Sequence, residues 1–185
     1  MRAEIVKSAR PPGRQPAGTT PAPSVGAAAQ VVDILRAYAQ RGMFRGFAEK
    51  PARSSRRTFS VLWHYNRQYP VVLDLAAETL SFPGLLPGIA ARSPMLAELK
   101  AFLRPFSTEE VPAHRRIDGD LGRLALTARK GALTLTMTVV GGEYEYCTRK
   151  LVHVAHEIFM VFLWDGPYYE YRVENLGLDP DAAWP

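Results

Sequence analysis

Arg123-Leu124-Ala125-Leu126-Thr127-Ala128-Arg129-Lys130-Gly131-Ala132-Leu133-Thr134-Leu135-Thr136-Met137-Thr138-Val139 is followed, after a Gly-Gly break, by the amphipathic stretch Tyr144–Leu163. The first part alternates apolar and polar residues on both sides of Lys130-Gly131. Period two around a Gly-containing turn predicts a β-hairpin. The second part repeats its apolar residues with a helical period over about five turns. Leu151, Val154, Ala155, Ile158, Phe159 and Phe162 form its apolar face. A hairpin with a helix on its apolar face is thus expected for this half of the chain.

Working back from there, Ser93-Pro94 opens a helix, with Ser as N-cap and Pro at the first helical position. Met95, Leu99, Phe102 and Leu103 give it an apolar stripe, Pro105 ends it, and Phe106–Asp120 reads as a polar connection. Phe59, Val61, Trp63 and Tyr65 alternate, which predicts a strand over Thr58–Asn66 turning at Asn66-Arg67-Gln68. Pro70–Leu75 and Thr79–Phe82 continue it as a meander, and Phe82–Gly88 reads as a loop set by its Pro and Gly. A short strand is expected near Phe44–Ala48. A first helix from Ala27 to Arg41 carries Val31, Ile34, Leu35 and Tyr38 on one face. Ser24 is its candidate cap, and Gly42 followed by Met43 is its stop. After the long helix, Asp165, Pro167 and Gly177 frame a short final helix, although Tyr168, Tyr169 and Tyr171 would also suit a strand.

The expected fold is α+β: a mostly antiparallel sheet covered by helices, in the order α-β-β-β-α-β-β-α. One extra short strand and a possible C-terminal helix complete it. Residues 1–26 hold Pro11, Pro12, Pro16, Pro21 and Pro23 and almost no large apolar groups. They are expected to form a disordered basic tail, with 27–185 as a single domain.

The 185 residues carry a formal net charge of +5. It is unevenly spread: residues 1–142 hold 20 Lys/Arg against 10 Asp/Glu, and residues 143–185 hold 3 against 8. Such asymmetry suits an acidic partner, or a second copy whose acidic end meets the basic half. No run approaches the ~18 apolar residues that span a bilayer, and Met1–Lys7 lacks the apolar core of a signal peptide. Cys147 is the lone cysteine, which fits a reducing cytoplasm; as a helix residue it reads as a packed thiol.

Candidate chemistry is sparse. His153, His156 and Glu157 lie on one helix at spacings that allow shared metal binding, but the pattern is neither His-Glu-x-x-His nor its inverse. A third ligand would have to come from His64, His114 or a distant carboxylate. Asp118-Gly119-Asp120 lacks the further oxygen ligands of a calcium loop. No serine sits in a nucleophile elbow. Arg53, Arg56 and Arg57 make a basic loop that would grip phosphates, with Trp63 on the adjoining strand as a stacking surface. No recognition motif accompanies them, so nucleic acid is not the expected partner.

The element order resembles the type III secretion chaperone-like superfamily, which includes bacterial domains outside secretion systems. The resemblance spans Ala27–Leu163 and rests on the helices at Val31–Tyr38, Met95–Leu103 and Leu151–Phe162. It implies a helix-covered sheet that dimerises to hold another protein in a bacterial cytoplasm. Secretion chaperones are commonly acidic, whereas this chain has a pI near 9.5, a departure that bears on secretion and leaves the fold. The expected function is therefore a non-enzymatic, cofactor-free protein-interaction domain working as a homodimer. The alternative is a small-molecule binder or enzyme with a pocket between sheet and long helix.

Overall fold

The computed structural model describes residues 23–51 and 55–179. The tail expected over 1–26 lies outside these residues except at its end. Helix α1 spans Pro23–Gln40, so it begins four residues before the expected Ala27, and Ser24 lies inside it rather than capping it. Then come β1 (Gly46–Glu49), β2 (Arg56–Leu62), β3 (Gln68–Asp74), β4 (Thr79–Pro87), α2 (Pro94–Leu103), β5 (Gly122–Arg129), β6 (Ala132–Val139), α3 (Tyr144–Glu157) and α4 (Tyr169–Leu176). The fold is α+β. A six-stranded, wholly antiparallel sheet has the order β1-β2-β3-β4-β6-β5.

The β5–β6 hairpin closes through Lys130 (φ 52°) and Gly131 (φ 71°). Two successive left-handed residues make the turn whose twist matches antiparallel strands. Pairing runs from Gly122 opposite Val139 to Arg129 opposite Ala132. That register puts Leu133, Leu135, Met137 and Val139 on the helix side, all buried. Helices α1 and α3 pack against each other, and α3 lies on β6 and β4. All six residues assigned to the apolar face of the long helix are buried. The opposite face of the sheet is rich in hydroxyls: Thr58, Val72, Ser81, Thr136 and Ala125 follow one another across five strands.

Three local expectations are corrected. Strand β4 continues through Pro87, where a loop was expected from Phe82. Gly84 (φ 67°) accommodates a register shift between Phe82 and Leu86, and the strand resumes with Leu85 and Leu86 buried. The connection Phe106–Asp120 is not uniformly polar, since Phe106 and Ile117 belong to the core. Strand β2 ends at Leu62, and a tight 3-10 turn at His64–Asn66 replaces its expected final residues.

The long helix is α-helical only to Glu157, then widens into a π-helical turn over Ile158–Leu163. Ile158, Phe159, Phe162 and Leu163 stay buried, while Met160, Val161 and Trp164 face outward. Such wide turns are uncommon and concentrate at functional sites.

Candidate functional site

The 3-10 turn after β2 is the most strained segment of the described chain. Tyr65 (φ 53°) and Asn66 (φ 52°) both adopt the left-handed conformation without being glycine, which costs on the order of 1 kcal/mol or more each. Its hydrogen bonds hold it closed: Trp63 N–H donates to Arg67 O, Arg67 N–H to His64 O, and the Tyr69 hydroxyl to His64 O. The turn directs consecutive side chains to different neighbours. Trp63 enters the core against Phe44, with ring centroids 5.0 Å apart. His64 packs on Phe159 at 4.4 Å. Tyr65 lies by Phe159, ring centroids 6.1 Å apart, with Arg172 close to its hydroxyl.

His64 Nε2 lies 3.1 Å from His156 Nδ1, and the two rings stack at 24°. Burial pushes the pKa of His64 down to about 3, helped by His156 and then by Arg45. Burial also lowers His156. Both rings are therefore neutral near pH 7, and one donates its N–H to the other.

This pair forms one wall of an open cleft of about 600 Å³. The end of α1 and the loop after it also line the cleft, with Tyr38, Arg41, Met43 and Arg45. Gly42 (φ 79°) reverses the chain there. Its N–H donates to Ala39 O, and Met43 N–H donates to Tyr38 O, a Schellman closure. The reversal turns Arg41 and Arg45 to the same opening. Arg41 donates from Nε to Ala37 O and lies over the Tyr38 ring. Neither arginine has a carboxylate of the described residues within ion-pairing distance.

The sequence candidates are distributed differently. Among the metal candidates, Glu157 is held by Arg115 at 2.8 Å, and His153 Nε2 lies 3.4 Å from its other oxygen without hydrogen-bond geometry. His156 belongs to His64 instead. No group of three or more His, Cys, Asp or Glu side chains among the described residues is arranged to hold a metal. Arg56 and Arg57 face Asp74 and Glu49 from the flanking strands at 3.1 and 3.2 Å. The Asp74 carboxyl is held below its usual range, chiefly by the Ala77 amide and also by Arg56. Arg53 lies outside the described residues. Trp63 is 5% exposed, so it is a core ring and not a stacking surface. It also stands seven residues, roughly 20 Å of strand, beyond Arg56. Cys147 is fully buried, with its thiol pushed up to about 11 by burial, and packs on Leu121 O.

Sequence reading missed Arg41, Arg45 and Arg172. The Gly42 stop between two arginines was a usable signal for the first two. Nothing local pointed to Arg172, which α4 inserts 4.6 Å from the Trp164 ring and 5.6 Å from that of Tyr169. Arg172 is buried, and its Nε and Nη1 have no hydrogen-bond partner.

No helix of the described residues is long and apolar enough to cross a membrane. No protein-family model, curated protein or solved structure matches this chain.

Proposed function

We propose that this chain is a non-enzymatic protein-interaction domain that works as a homodimer, in the manner of the secretion-chaperone-like proteins that its element order resembles. One observation carries the reading. The end of the long helix and the start of α4 expose Met160, Val161, Trp164 and Tyr169, from 37% to 51%. Two of them, Trp164 and Tyr169, cover the buried Arg172. Trp, Tyr, Met and Arg are the residues enriched at the centres of protein interfaces. An arginine withdrawn from water with two nitrogens unsatisfied is costly, and an acceptor from a docking chain relieves that cost.

A second copy is the occupant that the charge distribution favours. The same segment carries Asp165, Glu170 and Glu174, in the acidic end of a chain whose first 142 residues are strongly basic. A two-fold contact that brings that end to the basic half of its mate gains complementarity at both ends. A cytoplasmic setting accords with the single, buried cysteine.

Light scattering at micromolar concentration tests this. The expected mass is twice the 20.6 kDa of the chain. Val161→Asp with Trp164→Asp should give a folded monomer, because both side chains are exposed. A wild-type monomer across the accessible range, or a double variant that stays dimeric, overturns the reading.

A further inference from the structure

We propose that the cleft between the end of α1 and the His64–His156 pair binds a small phosphomonoester with a planar body, of mononucleotide size. This site is separate from the aromatic patch over Arg172, and its occupancy does not depend on dimerisation.

Arg41 and Arg45 line one opening, and no carboxylate lines it with them. Elsewhere, Arg36, Arg56, Arg57, Arg115, Arg116 and Arg149 each meet an Asp or Glu of the described residues, while Arg92, Arg104, Arg123 and Arg129 do not; what sets Arg41 and Arg45 apart is that both line one concavity. Two guanidinium groups lining one concavity favour an anion there. Their planar forks match the oxygens of a phosphate. The Schellman closure already uses the helix-end carbonyls of Tyr38 and Ala39, and Ala37 O accepts from Arg41. The negative end of the helix is thereby quenched where the phosphate would approach.

Shape and ring chemistry supply the rest. A volume of about 600 Å³ lies within the range of small-molecule sites. The half-buried imidazoles of His64 and His156 line the cleft at 24° to each other, with the buried Trp63 ring behind His156 at 14°. The Tyr38 ring, with Arg41 over it, and the exposed Met43 side chain line the same cleft. A planar body can lie against the imidazole rings, and Met43 adapts to its edge. Because the two imidazoles hydrogen-bond each other, their outer nitrogens are one donor and one acceptor, whichever tautomer is present. That suits a ligand with both phosphate oxygens and hydroxyl or amine groups. The strained turn at Tyr65 and Asn66 keeps His64 in this position, a cost consistent with a preorganised site.

Titration calorimetry of the full chain with adenosine monophosphate, adenosine and inorganic phosphate tests the inference. Adenosine monophosphate should bind once per chain, with adenosine and phosphate each at least about tenfold weaker, a difference of about 1.4 kcal/mol. Arg41→Ala with Arg45→Ala should weaken it by at least about tenfold. Arg56→Ala with Arg57→Ala should change it by less than about twofold. Imidazole nitrogen resonances of His64 and His156 should shift on binding, which locates the site independently of any variant. Three results overturn the proposal: no binding at about 1 mM, equal loss in the two arginine pairs, or binding that leaves both imidazoles unmoved.

Discussion

At one end of β2, Arg56 and Arg57 stand opposite Asp74 and Glu49, which the sheet register delivers from the strands on either side. At the other end, Arg41 and Arg45 line an open cleft with a pair of neutral histidines and meet no carboxylate of the described residues. Both clusters are short basic runs in the sequence. One is a pair of strand-to-strand ion pairs, and the other is an unneutralised concavity. Counting charges along a chain does not separate them, because neutralisation depends on which residue the fold sets opposite each arginine.

The largest expected effect tests the support of the cleft end. Phe159 is 1% exposed and underlies His64, Trp63, Tyr65 and Tyr69. Phe159→Ala should cost about 3–5 kcal/mol in a denaturant titration. A midpoint equal to wild type would mean that the turn is not seated on α3.

Acid should act next, and on the same end. The folded-state pKa of His64 lies near 3, below its ordinary value of 6.5. Between those values the unfolded chain binds the proton and the folded chain does not. Stability is therefore lost as pH falls through this window, with a slope approaching about 1.4 kcal/mol per pH unit for this group. His64→Gln should flatten the pH dependence of stability between about pH 6.5 and 4. An unchanged slope would show that His64 is already solvated.

The paired end should respond weakly. Arg56→Ala or Arg57→Ala should each cost at most about 1 kcal/mol, since exposed ion pairs contribute little. Wild-type protein should hold nucleic acid negligibly at physiological salt. Asp74→Asn with Glu49→Gln should release the two arginines and raise the salt needed to elute the protein from a polyanion column. No change in elution would mean that the carboxylates do not screen them.

The smallest effect concerns metal. Elemental analysis should find no stoichiometric zinc, since two histidines are too few for a closed site. One zinc per chain, lost on His156→Ala, would recast the histidine pair as ligands.

Local pattern determined much of this protein. Alternation across Lys130-Gly131, the helical period of Tyr144–Leu163, Ser93-Pro94 and the Gly177 stop each describe contacts within a few residues. Backbone sterics and hydrogen bonding make such short-range signals legible. The hairpin, the four helices in outline and the buried face of the long helix were readable on that basis. So was the packed state of Cys147. The tertiary structure alone decided the rest. His64 and His156 are 92 residues apart, Tyr65 and Arg172 still further. Asp74 reaches Arg56 only through strand register. The widened turn at Ile158–Leu163 gives no apolar-period signal distinct from an α-helix, yet it turns Trp164 outward. Sites made by convergence depend on the summed geometry of elements distant in sequence, and no local preference encodes that sum.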